Sequence, residues 1–525
     1  METTDEPQTA YDRVLYPTGV FPQTHPNRLA TVAFLRGMDP APINRCRVLE
    51  LACGAATNLI SIAYQLPESE FVGIDLARSP IEAGQSFAAE LGLQNIALRA
   101  LDLCEASEQA FGKFDFIIAH GVYSWVAQPV RERILEICGD MLTEQGVGYV
   151  SYNAYPGNHF RDLARAMMRF HTQNFETVDE KVRQARSLIK FLAESRPKTN
   201  YYVESLRAQF ERIEKYRDES LYHDDLSPIN QPFYFHEFMA DAERHGLQYV
   251  GEASPGDLES IKFTPEVVNK MNELQGAKEI IREQYKDFLS GCGFRQTLLC
   301  RKEIELAPDL LVNRIPALFA MCDAIVIENS KPGQPSQLKY PRGDIIECGH
   351  RLTHAALEYL TTQWPAAVPF NELLRAAVRR INENPLYSPN AEEASTLAES
   401  LAKAYRSGLI LLNSFPPNVV NRLSRCPAVS KLARVQLRRG QTVTTQLHTP
   451  LKLPDDLAVT FVLLLDGTRD KKALFRDLLK TVKSGEAKFV EAGIVVEDDA
   501  KISILLQQRI QDGLEGLLRA AVFVA

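Results

Sequence analysis

VLELACGAATNL, residues 48–59, joins two apolar runs through a turn of small residues that contains a single glycine. The first run belongs to RVLELAC (47–53), which predicts a buried strand. The second belongs to ATNLISIAYQL (56–66), whose apolar residues recur at helical spacing. The stretch therefore predicts a strand, a tight turn and a helix, the unit from which a parallel α/β sheet is built.

The same alternation continues to about residue 155. Helices are predicted at SPIEAGQSFAAELGL (79–93), where Ser79 suits the N-cap, and at VRERILEICGDML (130–142). Strands and helices in alternation predict a doubly wound parallel sheet that is covered on both faces. The further strands are predicted at EFVGIDL (70–76), IALRALDL (96–103), FDFIIAHG (114–121) and GVGYVSYN (146–153).

A helical segment follows the fifth predicted strand. Amphipathic helices fill residues 158–232, before a helix at 234–246 and strands at 247–253 and 294–303. Because the later strands resume the sheet, we expect residues 158–232 to be an insertion between the fifth strand and its following helix. A separate helical middle domain is the alternative.

The last part of the chain has another pattern. Helix–turn–helix pairs are predicted at 354–378 and 458–482, and with short strands they indicate winged-helix-like modules. We therefore divide the chain into an α/β domain over residues 1–305 and a winged-helix-like α+β region over residues 306–525.

Composition narrows the classes of function. The 525 residues carry a formal net charge of -8, whereas a nucleic-acid binder usually has a basic excess, so we expect no nucleic-acid partner. The acidic start METTDEPQTA lacks the pattern of a secretory signal, and no apolar run approaches the roughly 20 residues that cross a bilayer, so we expect no membrane insertion. Nine scattered cysteines without a CxxC pair are typical of reduced thiols in a cytoplasmic protein.

We expect no metal site. The candidate ligands are HDD (223–225), which lies in a proline-containing loop, and HE (236–237), which opens an amphipathic helix where the helix dipole favours Glu. Neither has the spacing of a zinc or di-metal arrangement.

The turn after the first strand of a doubly wound sheet is where such folds bind their ligand. A dinucleotide site uses G-x-G-x-x-G because pyrophosphate must approach backbone amides. Here only Gly54 is glycine, and Ala52 and Ala56 occupy the neighbouring positions. Glu50 adds a carboxylate, which repels a diphosphate but attracts an ammonium or a sulfonium. The turn therefore favours S-adenosylmethionine over a dinucleotide.

Two further acids follow the next strands. Asp75 ends the second strand, roughly 20 residues after Gly54, where a carboxylate can bind ribose hydroxyls. Asp102 follows the third strand, where it can accept a hydrogen bond from an adenine amino group. Each acid alone is typical of an ordinary turn, but three at consecutive strand ends indicate one adenosyl site.

These residues carry a family resemblance. VLELACGAATNL, FVGID, ALDL, FDFIIAHGVYSWV and YVSYNAYPGNH resemble the class I S-adenosylmethionine-dependent methyltransferases. More narrowly, the chain resembles the bacterial group with a methyltransferase regulatory domain, which includes protein-lysine methyltransferases that modify outer-membrane proteins. The resemblance covers about the first 305 residues and implies a Rossmann-like seven-stranded methyltransferase sheet with a helical insertion. The region beyond looks like the winged-helix region that accompanies these enzymes.

The resemblance also implies a donor site that is completed by His120 and closed by the N-terminal segment. Glycine is commoner in this family at positions 52 and 56, where the alanines add only a methyl group, and a tryptophan often stands in place of Asn158. The implied cofactor-binding residues are Gln23, Thr24, His25, Glu50, Ala52, Gly54, Asn58, Asp75, Asp102, Leu103 and His120.

The acceptor side is expected at HGVYSW (120–125) and SYNAYPGNH (151–159), since aromatic ring faces suit a cationic centre. We predict that Tyr123 and Tyr152 contact the substrate and that His159 accepts a proton from it. HGVYS is not the Asn/Asp-Pro-Pro-Tyr/Phe turn of enzymes that methylate planar nitrogens, which argues against a DNA-adenine acceptor.

The function that the sequence favours is methyl transfer from S-adenosylmethionine to lysine side chains of a protein partner, by an enzyme that could form a homodimer. The lysine step depends on the resemblance. A small-molecule methyltransferase with the helical insertion as a lid is one alternative. A catalytically quiet interaction protein is the second alternative. It remains an alternative because alanines stand at positions 52 and 56, where glycine is commoner.

Overall fold

A seven-stranded sheet forms the centre of the first half of the protein. The structure is a computed structural model, and it describes residues 14, 16–195, 200–254, 264–273, 279–327, 336–382, 384, 387–485, 490–491, 494–495 and 498–524. The strands of the sheet are β1 Arg47–Leu51, β2 Glu70–Asp75, β3 Ile96–Ala100, β4 Phe114–Ala119, β5 Leu142–Asn153, β6 Leu247–Glu252 and β7 Phe294–Arg301.

The order of the strands is β3-β2-β1-β4-β5-β7-β6. The first five are parallel, and β7 runs antiparallel to both of its neighbours. Chain order reverses between β1 and β4, and such a switch point opens a crevice at the carboxyl ends of the strands. Glu50 of β1 stands opposite Gly73 of β2 and Ile118 of β4, so these strand ends share one edge. The expected Rossmann-like methyltransferase sheet is confirmed.

Helices cover both faces of this sheet. Successive residues of β1 alternate between two buried clusters, with Val48 in one and Leu49 in the other, because neighbouring side chains of a strand point to opposite faces. The helices up to β7 are α1 Pro26–Leu35, α2 Thr57–Gln65, α3 Arg78–Leu91, α4 Glu108–Phe111, α5 Gln128–Met141, α6 Asn158–Thr172, α7 Val178–Glu194, α8 Tyr201–Glu214, α9 Asp218–Ser220, α10 Phe235–Arg244, α11 Pro265–Glu273 and α12 Glu279–Ser290.

Helices α6 to α9 lie between β5 and α10 and end in a π-helical turn, Leu221–Asp225. They pack around a small apolar cluster of their own that includes Met168, Val182 and Ile189. The buried Asp225 pairs with two arginines from different helices, Arg161 of α6 and Arg212 of α8. The HDD segment therefore serves an internal ion-pair network of this helical segment.

The C-terminal region packs around two further clusters. Both predicted helix–turn–helix pairs, at 354–378 and 458–482, are present. The division of the chain at residue 305 stays a prediction. The elements are β8 Phe319–Met321, β9 Ile325–Ile327, β10 Gln337–Lys339, β11 Ile345–Ile346, α13 Arg351–Gln363, β12 Val368–Pro369, α14 Phe370–Ile381, α15 Ala391–Arg406, β13 Leu411–Asn413, β14 Ala428–Val429, α16 Lys431–Leu437, β15 Thr442–Thr444, β16 Pro450–Lys452, α17 Asp456–Leu464, α18 Lys471–Lys483, β17 Val490–Glu491, β18 Ile494–Val495, α19 Asp499–Arg519 and β19 Phe523–Val524.

The two halves share cores. Leu432 and Val435 of α16 belong to the cluster that lies under β1 and α2, and Leu35 of α1 belongs to a C-terminal cluster. Within the described ranges, no helix has the length and the apolar run that crossing a bilayer requires.

Candidate active site

The carboxylate of Glu50 lies at the end of β1, beside the switch point. Its side chain is 5% exposed, and the Asn58 amide nitrogen donates to its Oε1 at 2.8 Å. Its Oε2 accepts no hydrogen bond from any residue that the structure describes. Burial raises the pKa of Glu50 to about 7, the Asn58 hydrogen bond offsets part of that rise, and the nearby Asp75 carboxylate adds to it. Such a group can bind a cation and become ionised by doing so.

The turn after β1 contains three residues with left-handed backbone. Ala52, Gly54 and Ala56 all have positive φ angles, of 55°, 55° and 52°. A side chain added at Gly54 would meet no atom of the described residues within 4 Å, so these residues leave space beside the turn. The Ala56 methyl group is fully buried in the core and does not crowd this space. The effect of the two alanines is therefore backbone strain, because the left-handed conformation favours glycine.

The Asp75 carboxylate at the end of β2 supports the same turn. Its Oδ2 accepts from the Gly54 amide at 2.8 Å, and its Oδ1 accepts from the Ala77 amide at 2.8 Å. Each carboxylate oxygen has a second lone pair, so a ribose hydroxyl can still donate to Asp75.

Asp102 follows β3 and is half-buried. Its Oδ1 accepts from the Cys104 amide at 2.8 Å and caps a short 3-10 helix. The neighbouring Leu103 is buried in the cluster that also contains Leu49 of β1, and its predicted contact with the donor stays a prediction. Since Asp75 pairs with Ala100 in the register of β2 and β3, the two acids follow adjacent strand ends.

His120 follows β4 and is held by residues that the sequence analysis missed. Its Nδ1 lies 3.0 Å from the Tyr149 hydroxyl and 3.2 Å from the Ser151 hydroxyl, and its ring packs on Phe21 at 4.1 Å between centroids. Burial lowers the pKa of His120 to about 4, so the ring is neutral near pH 7. Gln23 lies beside the Tyr149 hydroxyl.

Thr24, His25 and Asn58 hydrogen-bond to other groups of the protein, and their predicted place in the donor site stays a prediction. Thr24 is fully buried, and its hydroxyl donates to the Phe21 carbonyl at 2.8 Å. His25 caps α1 by accepting from the Asn27 amide at 3.2 Å. Asn58 is buried. Its side-chain oxygen accepts from the Phe21 amide, and its side-chain nitrogen donates to the Thr24 hydroxyl and to Glu50.

Tyr123 and Tyr152, whose contact with the substrate stays a prediction, are both 1% exposed. Tyr152 stacks on Phe238 of α10 at 4.1 Å, and its hydroxyl lies 3.2 Å from the Thr297 hydroxyl. Tyr123 contacts the same Phe238 ring edge-on at 5.2 Å. The two tyrosines face the core between β5 and α10, and burial raises the pKa of both.

An exposed aromatic cluster lies just beyond β5 instead. His159 is exposed and stacks on Tyr155 at 4.0 Å, and its Nε2 lies 3.2 Å from the Tyr234 hydroxyl. The Tyr234 ring lies 5.3 Å from Tyr155 and 5.9 Å from Phe288 of α12. We call Tyr155, His159, Tyr234 and Phe288 the aromatic cluster. His159 and Phe288 are exposed and the two tyrosines half-buried, and the cluster follows the carboxyl end of β5.

The C-terminal region also reaches the site. The Nε2 atom of His448 lies 2.9 Å from Asn58 Oδ1, across 390 residues of sequence. No local signal in QLHTP (446–450) indicates such a contact. The Tyr149 and Ser151 contacts to His120 could have been found, because the period of two in β5 puts both on one face.

Three family models match separate parts of the chain. They are described as "Methyltransferase domain", over residues 49–147, "Predicted methyltransferase regulatory domain", over residues 217–301, and "PKMT, C-terminal winged helix domain", over residues 426–522. With the sheet order, these matches define a Rossmann-like methyltransferase with a C-terminal winged-helix domain.

Two curated relatives and one solved structure match different shares of the chain. The uncharacterized protein RP028 of Rickettsia prowazekii is 36% identical over 236 residues, which cover 45% of this chain and 94% of that protein. The uncharacterized protein RP789 of the same organism is 28% identical over 98% of this chain and 93% of its own length. The structure of PKMT2 from Rickettsia typhi in complex with AdoHcy is similar with a TM-score of 0.87 at 26% identity, over 97% of this chain and 100% of that chain. The chain belongs to the class I S-adenosylmethionine-dependent methyltransferases with a methyltransferase regulatory domain.

Proposed function

We propose that this methyltransferase transfers methyl groups from S-adenosylmethionine to lysine side chains of a protein. The observation that carries the proposal is the likeness to PKMT2 from Rickettsia typhi over 97% of the chain, together with the match to the PKMT winged helix domain; PKMT abbreviates protein lysine methyltransferase.

The strand-end residues fit the donor. The unpartnered, buried Oε2 of Glu50 would accept from the α-amino group of the donor, whose positive charge favours the ionised carboxylate. Asp75 would accept from the ribose, Asp102 from the adenine amino group, and the space beside Gly54 admits the chain that joins them. When bound, the donor supplies a methyl group on a positively charged sulfur, and the protein's part is then position and approach angle.

The aromatic cluster would receive the acceptor. Ring faces attract an ammonium, and partial removal of water around it lowers the pKa of a lysine amine, which must lose a proton before it attacks. Tyr155 donates to Asp162 at 3.0 Å, so its ring is held in place, and the exposed His159 could take the proton to solvent.

A homodimer would use the helical segment α6 to α9. Its surface carries large exposed apolar side chains, of which Phe170 is 75% exposed, Phe191 68% and Tyr201 90%. Patches of this kind mark interaction surfaces. Light scattering of the purified protein should give twice the monomer mass, and Phe170→Asp with Phe191→Asp should give the monomer mass.

Incubation with methyl-labelled S-adenosylmethionine and a lysine-rich protein tests the function. We expect label in protein, recovered as methyl-lysine after hydrolysis, and none in the same protein after its lysines are acetylated. Label found only in low-mass material would instead support a small-molecule acceptor. A wild-type protein that binds no donor would be the quiet interaction protein.

The acceptor side is tested separately by Tyr234→Ala. This change should raise the KM for the protein acceptor several-fold while the Kd of the donor stays unchanged, because the ring is placed to contact the acceptor only. Tyr249→Phe, in the core and away from the cluster, is the matched control. An unchanged KM in Tyr234→Ala would contradict the acceptor role.

A further inference from the structure

His448 connects the winged-helix domain to the donor site. It lies in the turn between β15 and β16, has a φ of 55° and is 1% exposed. The turn is fixed to α2, because the Gln65 side chain donates to the Thr445 carbonyl at 3.0 Å. The imidazole is therefore held beside α2, the helix that carries Asn58.

The direction of each hydrogen bond around Asn58 follows from its neighbours. The Phe21 backbone N–H can only donate, and it donates to Asn58 Oδ1 at 3.0 Å, which fixes the orientation of the amide. Oδ1 can only accept, so His448 Nε2 must carry the proton in its 2.9 Å contact. The amide nitrogen then faces Glu50 Oε1 at 2.8 Å and the Thr24 hydroxyl at 3.0 Å.

His448 is suited to be a permanent neutral donor. Its Nδ1 has no hydrogen-bond partner in the part of the chain that the structure describes, so a second ring proton would be buried without an acceptor. Burial, and the neighbouring His25 ring at 5.4 Å, hold the pKa of His448 well below its usual range.

We propose that His448 of the winged-helix domain is a positioning residue of the donor site, which locks the Asn58 amide so that it donates to Glu50 and leaves Glu50 Oε2 free for the donor's ammonium. The inference rests on the proposed donor role of Glu50. Without His448, the Asn58 oxygen loses one of its donors and the amide is held by the Phe21 N–H and its own donor contacts, so it is less firmly positioned against Glu50 and the site is weakened. The winged-helix domain is thereby part of the donor site without touching the donor.

Two amide variants test the contact with matched chemistry. The amide nitrogen of His448→Gln can reach Asn58 as Nε2 does, whereas His448→Asn suits the positive φ but is too short. Calorimetric titration with S-adenosylmethionine should show a Kd raised about tenfold in His448→Asn and nearly restored in His448→Gln. Lys431→Ala is the control, since it removes another contact of the same domain, from Nζ to the Leu91 carbonyl, without touching Asn58. Equal Kd values for His448→Asn and wild type would overturn the inference.

A double-mutant cycle separates positioning from general damage. If His448 acts through Asn58, His448→Asn should leave the Kd unchanged in an Asn58→Ala background. An undiminished tenfold effect there would overturn the inference. Failure of the wild-type protein to bind the donor would refute the proposed function instead, so the two failures are distinguishable.

The pH dependence of binding gives a further readout. The ionisable groups that interact with Glu50 are Asp75 and Cys53, whereas His448 reaches it only through Asn58 and His25 packs beside His448. Since donation from Asn58 lowers the pKa of Glu50, loosening the amide should move the midpoint of the affinity curve to higher pH in His448→Asn and not in His448→Gln. A loss of affinity that is equal at all pH values would argue against positioning.

Discussion

Two opposing effects act on Glu50, the residue on which the donor site depends. Burial among apolar neighbours favours the neutral acid, and the amide of Asn58 favours the carboxylate. Because Oε2 has no partner among the described residues, the balance changes when a cation arrives.

Donor binding should therefore release a proton. Near pH 6.5 much of Glu50 is protonated in the free protein, and the ammonium of the donor ionises it, so affinity should rise as the pH increases through about 7. Calorimetry in buffers of different ionisation enthalpy measures this proton. Glu50→Gln should abolish the release and weaken binding; a release that persists in Glu50→Gln would assign the proton to another group.

The stability of the free protein should depend on pH through the same group. The folded pKa of about 7 exceeds the ordinary value of 4.5, so Glu50 contributes stability that is complete below pH 4.5 and is lost as the pH rises through about 7. The difference in unfolding free energy between wild type and Glu50→Gln should fall by on the order of 3 kcal/mol over that range. Denaturant titrations at several pH values measure it, and a constant difference would contradict the burial of the acid.

The alanines of the turn carry backbone strain. Ala52 and Ala56 both adopt left-handed backbone, but only the Ala56 methyl is fully buried. Ala52→Gly should raise the free energy of unfolding by about 0.5–1 kcal/mol, whereas Ala56→Gly should be close to neutral because the lost methyl burial offsets the relief. Thermal denaturation of both variants tests the contrast, which an equal effect would refute.

Among the elements, β7 carries a buried arginine, Arg295, that connects the end of the sheet to its helices. Arg295 is fully buried, with ion pairs to Glu252 of β6 at 2.8 Å and Asp287 of α12 at 2.9 Å, and its guanidinium lies 3.9 Å from the Phe235 ring of α10. These acids hold the pKa of Arg295 well above its usual range, although its burial opposes them. This buried ion network thus joins α12 to β6 and β7 within the segment that matches the regulatory domain.

Arg295→Met should cost about 3–5 kcal/mol of unfolding free energy, because it leaves buried carboxylates without their cation. Arg244→Ala is the control: its pair with Asp241 spans one turn of an exposed helix surface and should cost no more than about 0.5 kcal/mol. Urea denaturation compares the unfolding free energies of the two variants. Equally small decreases would contradict the prediction and show that water solvates the carboxylates left by Arg295→Met.

At the scale of the whole molecule, the two halves fold around shared cores. Leu432 and Val435 complete the cluster under β1, and Asn27 of α1 accepts from the Ser414 and Phe415 amides of the C-terminal region. Large proteins often unfold domain by domain. Here separation of the halves would expose apolar surface and break buried hydrogen bonds, so we expect them to unfold together.

The two tryptophans of the chain can test this. Trp125 lies in the methyltransferase half near Arg161 and Arg165, and Trp364 lies in the C-terminal region, where it donates to the Arg519 carbonyl at 2.7 Å. Trp364→Phe and Trp125→Phe leave one probe each. Their fluorescence should give coincident denaturation midpoints after correction for each variant's stability, and two separate midpoints would show independent halves.

The pattern of residues in the sequence was sufficient to predict the sheet and the position of three acids at its edge. Period-two and period-3.6 patterns are local, and parallel strands bring their carboxyl ends together, so Glu50, Asp75 and Asp102 could be assigned to one edge before any coordinates. The same reasoning predicted His120 after the fourth strand. It could not tell which side chains at those strand ends would face the site.

Tertiary packing determines which side chains at the strand ends are buried in the core. Tyr123 and Tyr152 both pack on Phe238 of α10 in the core, and no pattern in the sequence around them distinguishes a helix-covered position from a ligand-binding one. The contact of His448 with Asn58 spans 390 residues, and its existence depends on how the winged-helix domain packs against the methyltransferase sheet. Secondary structure and strand-end chemistry follow from short-range periodicity, whereas the partners of a buried polar group follow from which distant surfaces exclude water together.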